Sequence, residues 1–121
     1  MREPTYFVLA SLLDGPLHGY GIIKRAAELS RGRVRLATGT LYTALDRLAA
    51  DGYIEMVSDE IVNGRTRRSY GLTAPGSAAL RAEAARMAQA AQIVTSANLP
   101  ERAEPAPSAR SARGPRKMRT A

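Results

Sequence analysis

The apolar positions of the first half of the chain fall into helical stripes. Between Thr5 and Leu13, residues Tyr6, Leu9, Leu12 and Leu13 recur at three- and four-residue spacing, which places them on one helix face. Asp14-Gly15-Pro16 ends that run, because glycine suits a left-handed cap and proline cannot continue a helix. A second helix is predicted from about Gly19 to Ser30. Tyr20, Ile23, Ala27 and Glu28 hold helical spacing there, with Ile22 beside them, and Arg31-Gly32 closes it. Val34 to Leu36 reads as a short extended piece. A third helix runs to about Asp51 and stops at Gly52, with Thr38 or Thr40 placed to cap its first amides. Its core stripe is Leu41, Leu45 and Leu48, within about 60° of arc. The opposite pole carries Thr43, Asp46, Arg47 and Ala50, while Thr40 and Tyr42 flank the stripe.

The period then changes to two. Tyr53–Asp59 and Arg67–Leu72 read as strands joined through Asn63-Gly64, a turn pair that accepts positive φ at both positions. Tyr70 and Leu72 alternate with Ser69 and Gly71, so one strand face is expected to be buried. Thr73 can cap a last helix with Pro75 in its first turn. That helix, from Gly76 to about Ala97, is Ala-rich and spans about 30 Å. Leu80, Ala84, Met87, Ala91 and Val94 form a stripe on it with coiled-coil-like spacing over two heptads. The predicted order is helix, helix, short strand, helix, strand, turn, strand, long helix. The fold class is mainly α with a small β-hairpin, a winged helix-turn-helix plus a long C-terminal helix. Residues 1–73 are expected to form the winged domain, 74–97 the long last helix, which the family resemblance given below makes a dimerisation helix, and 98–121 a tail.

Composition narrows the function. The 121 residues contain no cysteine and no tryptophan. A disulfide framework, a thiolate metal site and a cysteine nucleophile are thereby excluded. No run reaches the roughly 18 apolar residues of a membrane helix, and Gly15, Pro16 and His18 interrupt any signal-like segment early. A cytoplasmic protein is expected, with no membrane partner. The net charge is +7, of which residues 1–98 carry +3 and residues 99–121 carry +4. The Pro-, Ala-, Ser- and Arg-rich end lacks apolar periodicity beyond Leu99 and is expected to be a disordered basic tail. A surplus of this kind suggests nucleic acid, an anionic membrane or an acidic partner.

The third helix carries candidate chemistry. Thr40, Thr43 and Arg47 are short or cationic groups of the kind that meet phosphates and base edges in a major groove. The helix start at Thr38, Gly39 and Thr40 points amide hydrogens and positive dipole outward, toward a phosphate. The run Asn63-Gly64-Arg65-Thr66-Arg67-Arg68 forms a basic hairpin able to track a backbone or enter a minor groove. His18, the single histidine, is assigned a capping or packing role rather than metal binding. No phosphate-cradling or nucleophile-elbow motif is present, so neither enzymatic activity nor a cofactor is expected. Two other readings compete with specific DNA binding. One is a nonspecific architectural nucleic-acid binder dominated by its tail; the other is a winged-helix module that binds protein.

Three segments, Leu17–Ile22, Gly39–Ile54 and Gly64–Gly76, resemble the PadR family of bacterial transcriptional regulators in order and spacing. The resemblance covers about residues 4–97 and matches the smaller subfamily with a single C-terminal helix. It implies a homodimeric winged helix-turn-helix repressor on a palindromic double-stranded operator, cytoplasmic and nucleoid-associated. It also implies release by a small aromatic or lipophilic effector. Carried over, the DNA-facing set is Thr38, Gly39, Thr40, Tyr42, Thr43 and Arg47, with Tyr42 on a phosphate. The wing set is Gly64, Arg65, Arg67 and Arg68. The last helix, helped by Tyr6 of the first, would form the dimer. Where the family commonly has Ser-Pro before Gly-Thr-Leu-Tyr, this chain has Ala37-Thr38. With no tryptophan on the last helix, an effector would have to use Tyr6, Phe7, Met87 or Ile93.

Overall fold

A computed structural model describes residues 1–98 and Pro100. Helix α1 spans Glu3–Ser11, α2 Gly19–Leu29, α3 Thr38–Ala50 and α4 Ala74–Thr95. Strand β1 is Leu17–His18, β2 Ile54–Val62 and β3 Arg65–Leu72, and they form one antiparallel sheet in the order β1-β3-β2. The chain divides into two units, Met1–Ala88 and Gln89–Ala121. The basic tail assigned to 98–121 lies, apart from Asn98 and Pro100, outside the described residues.

In the first unit the core is built where the three helices meet the root of the hairpin. Val8, Leu9 and Leu12 pack with Ile22, with the leucines of α3 at 41, 45 and 48, and with Ile54, Tyr70 and Leu80. The α3 stripe is therefore buried as its spacing predicts. The α1 stripe is buried at Leu9 and Leu12, with Tyr6 packed against the core, but not at Leu13. Helix α1 ends at Ser11, whose hydroxyl donates to the Val8 carbonyl, and the following turn sends Leu13 into solvent at 60% exposure. Val8 takes the inward position instead. On α2 the buried face is Gly19, Ile22 and Ala26, and Tyr20 stands 71% exposed. The cause is contact rather than periodicity. A side chain at position 19 would collide with the Tyr42 hydroxyl and meet Leu41, so a glycine faces inward and its neighbour points out.

The short strand also lies elsewhere. Val34 is buried, but its amide donates to the Ser30 hydroxyl, and residues 34–37 join no sheet. The third strand is β1, ahead of α2, where Leu17 pairs with Tyr70 and His18 with Ser69. The hairpin is longer than its alternation predicts. Its strands run to a two-residue turn in which Asn63 and Gly64 take φ of 53° and 76°. Both values are left-handed, as a primed hairpin turn requires. A register shift between Met56 and Ser58 marks a bulge.

Helix α4 starts from a cap that the sequence predicts. The Thr73 hydroxyl accepts the Gly76 amide at 3.0 Å and donates to the Gly52 carbonyl, tying α4 to the α3–β2 corner. Gly76 lies so close to the Tyr53 carbonyl that any Cβ there would overlap it. Glu83 is buried, ion-paired with Arg86 and 3.7 Å from the Met1 amine. In the second unit, residues 89–95 complete the helix and are exposed, and the Ser96 hydroxyl donates to the Gln92 carbonyl. Among the described residues no helix is long and apolar enough to cross a membrane.

Candidate nucleic-acid interface

With Leu41, Leu45 and Leu48 inward, α3 turns a polar face outward. Thr38, Gly39, Thr40, Thr43, Asp46 and Arg47 are all exposed. Neither Thr38 nor Thr40 caps the helix. Ala37 occupies the cap position and makes no side-chain bond, because Thr38 is already the first helical residue. The first amides of α3 thus have no side-chain acceptor, in contrast with α4. Such an open helix start favours an anion. The Thr43 hydroxyl donates to the Gly39 carbonyl at 3.1 Å, which leaves its lone pairs facing outward. Among the described residues no carboxylate is within ion-pairing distance of Arg47.

Tyr42 combines packing and display. It is 39% exposed, its hydroxyl rests over Gly19, and its ring lines a groove of about 440 Å³. One wall of the groove is His18, Gly19, Tyr20 and Tyr42; the other is the hairpin from Val62 to Arg68. The His18 and Tyr20 rings stack with centroids 6.5 Å apart. The sequence points His18 to capping or packing and gives Tyr20 only helical spacing with Ile23 and Ala27, so neither is legible as a groove residue. His18 does occupy the cap position of α2, without a side-chain capping bond. The available signal was Gly19: a glycine holding the inward position turns the next residue outward.

The wing is not a uniformly basic hairpin. Arg65, Arg67 and Arg68 are exposed on β3, beside Gly64 in the turn. Antiparallel pairing sets Asp59 opposite Arg68 and Glu60 opposite Arg67, while Arg65 faces Val62. The Arg68 Nε lies 3.9 Å from Asp59 Oδ1. Between Ile54 and Leu72 there are three carboxylates and three guanidiniums, so the formal charge cancels. Arg68 also neighbours Tyr70. Burial pushes the Tyr70 phenol above its usual range and the nearby guanidinium opposes that shift.

A second groove, about 960 Å³, runs between the start of α1, the outward side of α3 and the first turns of α4. Val8, Leu36, Ala44 and Leu48 give it apolar walls, and Thr43, Arg47 and Glu83 reach its edge. Tyr6, Phe7 and Met87 do not line it. Tyr6 and Phe7 instead meet edge to face at 5.3 Å, both half-buried. Of the stripe on α4, Leu80 belongs to the core of its own chain, Ala84 is half-buried and Met87 is 42% exposed. Ala91, Ile93 and Val94, in the second unit, are exposed.

Comparison with known proteins gives this geometry its context. The model of the transcriptional regulator PadR-like family matches residues 8–82. The transcriptional regulator Rv3488 of Mycobacterium tuberculosis is 43% identical over 74 residues, which is 60% of this chain and 64% of that protein. The chain therefore spans somewhat under two thirds of that relative. A PadR-like transcription factor from Bacteroides fragilis shares the fold with a TM-score of 0.64 and 26% identity, over 76% of this chain and 86% of that one. Bacillus subtilis PadR, determined in complex with operator DNA, gives a TM-score of 0.61 at 22% identity, over 91% of this chain and 53% of that one. With most of the winged domain matched by the family model, the chain belongs to the PadR-like family of transcriptional regulators.

Proposed function

We propose that this regulator is a homodimeric, sequence-specific repressor that lays α3 in the major groove of a palindromic operator. The observation that carries the reading is the outward face of α3. A helix anchored by three buried leucines presents an uncapped start, three threonines and an arginine that has no carboxylate partner among the described residues. Thr38, Gly39 and Thr40 would hold a phosphate, and Thr43 and Arg47 would meet base edges. Tyr42, Arg65, Arg67 and Arg68 around the smaller groove would follow the backbone, with Tyr20 and His18 joining them. In this reading residues 1–73 bind DNA, 74–97 dimerise and 98–121 add basic charge. That Bacillus subtilis PadR holds operator DNA on the same fold supports the reading.

The partner copy would cover Ala84, Met87, Ala91 and Val94, with Leu80 acting from within its own core. Tyr6 would assist from α1. A small lipophilic effector fits the size of the larger groove, which falls in the range of ligand pockets and borders α3. Binding there would act on Arg47 directly.

Selection of the full chain on randomised duplexes tests the proposal. A palindrome should be enriched, with half-sites about 34–36 Å apart centre to centre or a multiple of that spacing. Recovery of unrelated sequences without enrichment would overturn it in favour of nonspecific binding. Met87→Glu should shift the sedimentation profile to monomer, and an unchanged dimer would refute the seam.

A further inference from the structure

The hairpin carries a charge arrangement that DNA attraction alone does not call for. A wing that only gripped phosphates would leave its arginines unopposed. Here the ladder register sets one carboxylate against each of two arginines. Asp59 faces Arg68, with Arg68 Nε 3.9 Å from its Oδ1, and Glu60 faces Arg67. Directly opposed residues share a sheet face, with Cβ atoms about 4.5–5.5 Å apart. Arg65 faces the uncharged Val62, and Glu55 faces Gly71. All four opposed groups are exposed, and Arg67 and Arg68 both line the groove beside Tyr42.

We propose that Asp59 and Glu60 set the DNA affinity of the wing by restraining the arginines they oppose. The inference rests on the DNA-binding reading and deepens it. Each carboxylate competes with phosphate for the guanidinium that it faces. An exposed pair of this kind is weak, so phosphate can displace the carboxylate, but the displacement lowers the net gain. Attraction to any phosphate backbone is thereby held down at the wing, and Arg47 on α3, with no carboxylate partner among the described residues, supplies a larger share of the binding. Arg65, facing Val62, remains the one wing arginine without an opposed carboxylate in the ladder. Asp59 and Glu60 are thus positioning residues, acting through Arg68 and Arg67.

Fluorescence anisotropy tests this with the full chain and a labelled mixed-sequence duplex of about 30 base pairs, across a salt series. Asp59→Asn and Glu60→Gln are near-isosteric and exposed, and circular dichroism checks that each folds. Each should tighten binding about two- to fivefold near 0.1 M salt, with the gain shrinking as salt rises. Each should also steepen the salt dependence. Glu55→Gln, which removes a charge facing no arginine, should change nothing. In an Arg68→Gln background the Asp59→Asn gain should disappear. Unchanged or weakened binding in both single variants would overturn the inference alone. An equal gain from Glu55→Gln, or a gain that persists without Arg68, would also overturn it. Wild-type protein that ignores the duplex even at low salt would instead overturn the DNA-binding reading itself.

Discussion

Helix α3 and the β2–β3 hairpin both present arginines to solvent, but they are held in different ways. The helix is bolted to the core through Leu41, Leu45 and Leu48, so its outer face is fixed by what lies beneath it. The hairpin is anchored only at its root, through Ile54 and Tyr70. Beyond the bulge its residues are partly or fully exposed, down to Ile61 at 76%. The charges differ in the same sense. Arg47 has no carboxylate partner among the described residues, whereas Arg68 pairs with Asp59 and Arg67 is opposed by Glu60. A rigid face with an unopposed cation suits the reading of a defined sequence. A peripheral arm with balanced charge suits an adjustable grip on a backbone.

The comparison breaks first at the core. Leu45→Ala should cost about 2–5 kcal/mol of stability in urea unfolding, because it empties a site with no solvent access. A loss below 1 kcal/mol would mean that α3 is not the anchored element. Arg47→Ala should leave the unfolding midpoint unchanged while weakening the selected operator by about 1–3 kcal/mol and relaxing its sequence preference. Equal weakening on every duplex would instead place Arg47 with the wing residues. Thr73→Ala removes the hydroxyl that caps α4 at the Gly76 amide and ties it to the Gly52 carbonyl, and a loss of about 1 kcal/mol is expected from thermal unfolding. Arg67→Ala should weaken all duplexes alike and flatten the salt slope by about one phosphate contact. Ile61→Ser should change stability by no more than about 0.5 kcal/mol, since its side chain packs on little. A loss above 2 kcal/mol there would show that the outer hairpin is as anchored as the helix.

Much of this arrangement is legible in the order of residues, because spacing within one element is a local property. The α3 stripe, the Asn63-Gly64 turn and the Thr73 cap each depend on residues a few positions apart or on the φ preferences of a pair. Errors arise where a contact comes from another element. Tyr20 holds helical spacing with Ile23 and Ala27, yet Tyr42 from α3 claims the space at Gly19 and turns Tyr20 outward. Val34 has strand-like neighbours, yet its amide is taken by Ser30 while Leu17 and His18 find the free edge of β3. A two-residue strand carries too little pattern to be read alone.

By itself, then, the sequence determined three helices, a turned hairpin, a capped last helix, the polar outward face of α3 and the family. The tertiary structure decided what opposes what. It set Asp59 against Arg68 and Glu60 against Arg67, brought His18 and Tyr20 across from the wing, and left the first amides of α3 without a side-chain cap. The physical reason is the register of an antiparallel pair. Run lengths along the chain leave the strand limits and the bulge open, and a slip of one residue would change every cross-strand partner. Only the packed root of the hairpin, where Ile54 meets Leu72 and Tyr70 enters the core, selects the register in which the wing balances its own charge.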